Sequence, residues 1–243
     1  MKKLLLALLL SLPLFAQETP NFIQQHRPVF MLFGPNNMNT LVQLSMKYEL
    51  WKKSNLYIGY TQTSMWELFK PSSPFRDHNF NPEIFYRVTQ LEKYDLTADI
   101  GQEHKSNGRD GDADRTYDAT YLSVDKKFSI GGTVVGFNNK VYAAYRMFGN
   151  SEIKQYLGFW KTGLTLDFDL PWLDHEQLFV NFIPGLQNDL SKSTTEVGAK
   201  FRTPFGQDFA PYFYVQYWRG YLATLLDYNV FGEGFRFGFI LYR

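Results

Sequence analysis

Three side chains in this sequence have the types and spacing of a proton relay feeding a nucleophile: His104, Ser106 and Asp118. On an extended strand, residues i and i+2 share a face, so His104 and Ser106 stand side by side. An imidazole there takes the hydroxyl proton and makes the serine able to attack an acyl carbon. Asp118 becomes the third member if the chain turns back between them. The stretch 107–114, Asn-Gly-Arg-Asp-Gly-Asp-Ala-Asp, is rich in turn formers, and a hairpin centred on Gly111 sets Asp118 opposite His104. Directly paired antiparallel residues hold their Cβ atoms about 4.5–5.5 Å apart. That is near enough for the carboxylate to fix the imidazole tautomer and stabilise the imidazolium. The competing reading is a rim histidine, a turn serine and an unrelated carboxylate.

The same loop carries Asp110, Asp112 and Asp114 at alternate positions. Such carboxylates suit a hard cation that prefers oxygen, and they equally suit a solvated acidic turn. The loop is not an EF-hand, because Arg115 stands where its glycine should be and Tyr121 where its bidentate Glu should be. A divalent cation beside Ser106 would polarise an ester carbonyl. The sequence has no G-x-S-x-G, H-E-x-x-H or P-loop pattern, which leaves soluble-lipase, zincin and nucleotide readings without support.

The strand that must carry the pair, 94–106, has two unlike rows. Tyr94, Leu96, Ala98 and Ile100 are apolar and continue into Gln102, His104 and Ser106, while Asp95, Thr97, Asp99, Glu103 and Lys105 make a wet face. At ~3.3 Å per residue and a tilt of about 40°, His104 rises roughly 25 Å above Tyr94, the height of a membrane's apolar band. The pair is therefore expected on the lipid-facing side, at the upper edge of the bilayer. Asp118 shares a row with Thr120, Leu122 and Val124, where an unpartnered carboxylate would be costly.

Two-residue alternation recurs along the whole chain. The expected strands are 28–34, 41–51, 56–66, 84–90, 94–106, 115 onward, 140–148, 153–170, 177–184, 194–203, 209–218 and 232–242. The stretch 115–135 is too long for one plain span and predicts a bulge. Short connections at 52–54 and 91–93 alternate with long ones at 67–79, 107–114, 186–193 and 219–229. That is the rim pattern of an outer-membrane barrel. An aromatic excess of 23 Phe, 16 Tyr and 5 Trp agrees with interfacial girdles. The fold class is all-β, an antiparallel transmembrane β-barrel of about twelve strands. A soluble β-sandwich is the alternative architecture, and a non-catalytic channel with lumen charges at Asp95, Asp99 and Lys105 is the alternative function.

Residues 1–16 read as a secretory signal peptide, with Lys2 and Lys3 ahead of a short apolar run, too short to span a bilayer as a helix. Residues 17–243 then form the outer-membrane barrel domain. With 25 Lys+Arg against 24 Asp+Glu there is no basic field for a nucleic acid. The absence of cysteine excludes a disulfide scaffold and a thiol nucleophile.

His104-Lys105-Ser106-Asn107-Gly108-Arg109 resembles the H-x-S-N-G-R motif of the outer-membrane phospholipase A family. Tyr60-Thr61-Gln62, Ser72-Ser73-Pro74-Phe75-Arg76, Asn79 and Pro82 are similar to an upstream block of that family, and Leu225, Asp227, Tyr228 and Asn229 to a downstream one. The resemblance implies a twelve-stranded, calcium-bound homodimer that hydrolyses acyl esters of phospholipids and lysophospholipids. It implies Ser106 as nucleophile, His104 as base and the Gly108 N–H as oxyanion donor. It also implies calcium held by the Arg109 carbonyl and the Asp114 side chain, with the Ser72 carbonyl coming from the other subunit. Asp118 stands where the family usually has asparagine, and Asp114 where it often has serine. Gln62 shares the row of Leu56, Ile58 and Tyr60. A glutamine in a lipid-facing row calls for a partner, which a facing subunit would supply.

Overall fold

The computed structural model describes residues 23–35, 39–148, 150–170, 173–202 and 211–241. The leader read at 1–16 lies outside them. Twelve strands form one closed antiparallel ring: β1 (Val29–Phe33), β2 (Thr40–Glu49), β3 (Leu56–Trp66), β4 (Phe75–Leu91), β5 (Leu96–Ser106) and β6 (Thr116–Ile130), followed by β7 (Thr133–Tyr145), β8 (Trp160–Leu170), β9 (Leu173–Ile183), β10 (Thr194–Arg202), β11 (Tyr212–Gly220) and β12 (Gly232–Leu241). Each strand pairs with its sequence neighbours, and β1 closes onto β12.

The pleat sorts the residues. Leu44, Ile58, Ile100, Leu122, Val197 and Phe237 point outward as bare apolar side chains, while Glu83, Glu103, Lys140, Asn81 and Arg236 are buried inside. A soluble sandwich would bury its apolar rows between two sheets; here they cover the outside. A closed ring leaves no unpaired strand edge and satisfies its backbone internally, as hydrocarbon demands. This is a membrane-spanning barrel of the bacterial outer-membrane type. No helix among the described residues is long and apolar enough to cross a membrane; the strands do the crossing.

Three expectations about element boundaries are corrected. β4 begins at Phe75 rather than at 84. Its inward row of Asp77, Asn79, Asn81 and Glu83 is polar enough to read as loop, yet each is buried against lumen or lid partners. The long stretch after Arg115 contains no bulge. Its register with β7 is continuous to Ile130↔Thr133, and Gly131-Gly132 closes a two-residue hairpin. Both glycines have positive φ, 57° and 90°, the backbone that a tight hairpin turn requires. Finally, 153–159 is not strand: Ser151–Ile153 is a 3₁₀ turn leading into the helical turn α1 (Lys154–Leu157). Ile153 and Leu157 sit four apart and bury one face onto the barrel mouth.

The interior is occupied rather than open. The segment before β1 enters the lumen, where His26 stacks on Phe85 at 5.1 Å and Phe85 stacks on Tyr57 at 5.0 Å. Arg27 reaches Glu83 at 2.6 Å and Glu103 at 3.2 Å, Lys140 holds Glu103 at 2.8 Å, and Tyr121 donates to Glu83 at 2.6 Å. Above them Ile153, Leu157, Leu225 and Tyr228 pack on Tyr117 and Ala119 as a lid. This filling removes the open lumen that the channel reading needs.

Gly101 sits where the lumen leaves no room for a side chain. A Cβ there would lie 2.7 Å from Phe85 Cβ and 2.7 Å from the Tyr121 ring and hydroxyl. Gly101→Val should therefore destabilise the barrel by about 1–3 kcal/mol through overpacking. The check is the urea midpoint of the folded-to-unfolded transition in detergent; an unchanged midpoint would contradict this account of the lumen.

Candidate active site

Strands β5 and β6 bring His104 and Asp118 together and place Ser106 in the same row. Their register pairs His104 with Asp118 and Ser106 with Thr116, the hairpin alignment that the sequence implies. His104 Nδ1 lies 2.7 Å from Asp118 Oδ1. Parity sends both outward with Ser106, while Glu103 and Tyr117 on the alternate rows are buried inside. The His104 side chain is 45% exposed and that of Asp118 only 13%, so the imidazole stands open to the surroundings on a largely covered carboxylate. With Nδ1 engaged, Nε2 is the nitrogen left for a hydroxyl. Ser106 is half-buried, and its Oγ makes no hydrogen bond among the described residues. Such contacts are often long before substrate arrives.

Several neighbours of this group were invisible in the sequence. Arg146 Nη1 approaches the other Asp118 oxygen at 3.5 Å. Asn81 reaches from the lumen side to the His104 carbonyl at 3.0 Å and tethers that stretch of β5. Phe80 pairs directly with Ser106, and its ring stands 3.0 Å from where a Cβ on Gly108 would be. Gly108 has φ +65°, a conformation that only glycine adopts freely. Its N–H has no partner among the described residues, which leaves a donor beside Ser106.

Asn107 organises the loop that follows. It is buried; its N–H donates to the Arg115 carbonyl at 3.0 Å and its Nδ2 to the Ala113 carbonyl at 2.9 Å. Its Oδ1 accepts from Arg115 N–H at 3.0 Å and Arg109 N–H at 3.4 Å. One amide side chain thus bonds to both arms of the 107–115 loop. Arg109 ties the loop sideways, donating to the Arg76 carbonyl at 2.5 Å and lying 3.4 Å from Asp77. Asp77 in turn accepts from Leu226 N–H at 3.0 Å, and Arg76 grips Asp227 through two nitrogens at 2.5 and 2.7 Å. Segments near 76, 109 and 227, far apart in the chain, meet in one cluster behind the relay.

The candidate cation ligands divide. Asp114 Oδ1 accepts from Thr116 Oγ1 at 3.0 Å, and its other oxygen has no partner among the described residues. Arg115 Nη1 donates to the Asp112 and Asp114 carbonyls at 2.7 Å each and engages those two oxygens. That leaves the Asp114 carboxylate and the Arg109 carbonyl, hard oxygens of the kind calcium takes in a shell of six to eight. Their chemistry suits the ion, but among the described residues no three His, Asp or Glu side chains gather closely enough to hold a metal. Ser72 lies exposed on the separate loop 67–74, with φ +62°, and no hydrogen bond joins it to the other two. Gln62 also departs from expectation, since it finds partners within its own chain. Its Oε1 accepts from Tyr60 OH at 3.0 Å and its Nε2 donates to Ser64 Oγ at 3.3 Å.

The chain is a closed membrane barrel with a paired His104 and Asp118 on its outer wall. The family model described as Phospholipase A1 matches residues 9–241, and the chain belongs to that family. It is 26% identical over 200 residues to the Phospholipase A1 of Klebsiella pneumoniae, a match covering 77% of this chain and 64% of that relative's length. A Putative phospholipase A1 of Neisseria meningitidis is 27% identical over 172 residues, covering 61% of this chain and 44% of the relative. The fold is that of outer membrane phospholipase A from Escherichia coli, with a TM-score of 0.73 at 21% identity over 90% of this chain and 98% of that one. The Salmonella typhi outer membrane phospholipase dimer, solved with bound calcium, gives a TM-score of 0.73 at 23% identity over 93% of this chain and 94% of that one.

Asn107→Ala should release the loop without opening the barrel. Hydrogen exchange at the amides of Gly108 to Arg115 should quicken, and the loss of its bonds should cost about 1–3 kcal/mol. Exchange at wild-type rates in that loop would show that something else holds it.

Proposed function

We propose that this barrel is a calcium-dependent phospholipase that hydrolyses acyl esters of glycerophospholipids and lysophospholipids at the membrane surface. The observation that carries the reading is the 2.7 Å contact of His104 with Asp118 on the lipid-facing wall, in the same outward row as Ser106. A soluble hydrolase would keep such a group in a cleft. Here a lipid slides in from the side with its ester at the level of the relay.

In this reading Ser106 Oγ attacks the acyl carbon while His104 Nε2 takes its proton. Asp118 holds the imidazole by Nδ1–H and balances its charge. The Gly108 N–H donates to the oxygen that becomes negative. His104 then gives the proton to the departing glycerol oxygen, leaving acyl-Ser106 and a lysolipid. Water attacks the acyl-Ser106 carbon with His104 again as base, and a fatty acid leaves. Calcium, held by Asp114 and the Arg109 carbonyl, would add positive charge close to that oxygen. Ser72 of the partner subunit would help complete its shell, which makes a homodimer the active form. The unbonded carboxylate oxygen of Asp114 supports that division of labour.

Ser106→Ala should abolish fatty-acid release from phospholipid micelles while the barrel still folds; full activity in that variant would refute the nucleophile. Asp118→Ala should lower kcat by about 10²–10⁴, whereas Asp118→Asn, which still offers an oxygen to Nδ1–H, should lose far less. Equal losses in the two would argue against the orienting role. Activity and chemical crosslinking should fall together as calcium is chelated. An uncrosslinked, calcium-free protein of undiminished activity would remove both the ion and the dimer from the mechanism.

A further inference from the structure

Behind the relay, beneath the lid, the upper lumen holds a cavity of about 130 Å³. Its wall includes Arg27, Lys105, Lys140 and Lys161 but only one carboxylate, Glu103. Lys140 is spent on Glu103 at 2.8 Å, and Arg27 is shared between Glu103 at 3.2 Å and Glu83 at 2.6 Å. Glu83 is also engaged by His26 at 2.8 Å and by the Tyr121 hydroxyl at 2.6 Å. Lys105 and Lys161 have neither an ion pair nor a hydrogen bond among the described residues. Asp77, beside Arg109 at 3.4 Å, and Asp125, bonded to the Asn138 amide, act on the two lysines only from a distance. Lys105 and Lys161 thus line the cavity with no carboxylate in direct contact. Buried ammonium groups without a direct partner are unfavourable unless a counter-charge joins them.

We propose that this cavity is a binding site for a small tetrahedral oxyanion, inorganic phosphate being the type case, held by Lys105 and Lys161 with the Tyr117 hydroxyl as a further donor. The donors arrive from β5, β6 and β8, on separate parts of the wall, which suits an ion with acceptors in several directions. The source is free anion rather than a lipid headgroup. The wall from β5 to β8 is continuously hydrogen-bonded, so no lipid enters sideways, and the cavity is too small for a glycerophosphocholine unit. Lys105 sits between His104 and Ser106 and projects the opposite way, so the anion lies against the reverse face of the strand that carries the relay. The inference needs no hydrolytic activity and stands apart from that reading.

The test uses the full chain folded in phosphate-free detergent with chelator present, titrated calorimetrically with sodium phosphate. One saturable site per barrel is expected, with a raised unfolding temperature as the site fills. Lys161→Met and Lys105→Met should each weaken binding at least tenfold, and Lys161→Arg should largely retain it, with folding followed by heat-modifiable gel migration. Glycerophosphocholine should not compete. No saturable phosphate uptake by the wild-type chain would overturn the proposal whatever the variants do, as would unchanged affinity in both folded methionine variants. Competition by glycerophosphocholine would overturn the assignment to a free anion.

Discussion

The arrangement depends on strand parity in β5, and that parity is enforced from inside the barrel. Glu103 is locked between Lys140 and Arg27, and Glu83 on the neighbouring strand between Arg27, His26 and Tyr121. A slip of one residue would turn every side chain of the strand over, putting Glu103 and Lys105 against hydrocarbon and His104 and Ser106 into the lumen. Buried carboxylates that have lost their cations are among the most destabilising defects available to a protein. The lumen charges therefore do for the outer wall what a core does for a soluble enzyme's cleft. They fix which groups face the lipid without touching any of them.

A second layer of support comes from the loops. Arg109 leaves the relay hairpin and meets the Arg76 carbonyl and Asp77 of β4, while Arg76 and Asp77 bind the 221–231 loop through Asp227 and Leu226. The motif blocks that carry the family resemblance are thus one physical object. They look scattered along the chain because a barrel brings together loops from distant strands at one rim. Asn107 completes the set by bonding across its own hairpin loop.

Where alternation was clean, the sequence was readable. β3 begins and ends at its expected residues, and the outward rows of β2 and β12 are the apolar rows seen in the chain. The hairpin register follows from turn-forming residues placed symmetrically about Gly111. What was not legible depended on partners. The inward polar row of β4 looks like loop until Arg109, Leu225 and Leu226 are placed beside it. A pair of glycines looks like part of a long strand until its two positive φ angles are known. Arg146 beside Asp118 and Phe80 beside Gly108 come from other strands or their ends, and no local spacing announces them. The single amide of Gln62 posed the opposite problem: its row called for an external partner, whereas the adjacent Tyr60 and Ser64 side chains already serve it.

The seam of the ring has a consequence of its own. β1 contributes only five residues, Val29–Phe33, and joins β12 through five registered pairs, whereas β5 and β6 share eleven. β1 is held still more lightly on its other side, by three registered pairs with β2. Both seams depend on the same short strand, and the residues just before it are threaded inward to grip Glu83. The plug and the clasp are one continuous piece of chain, so β1 is seated from within by His26 and Arg27.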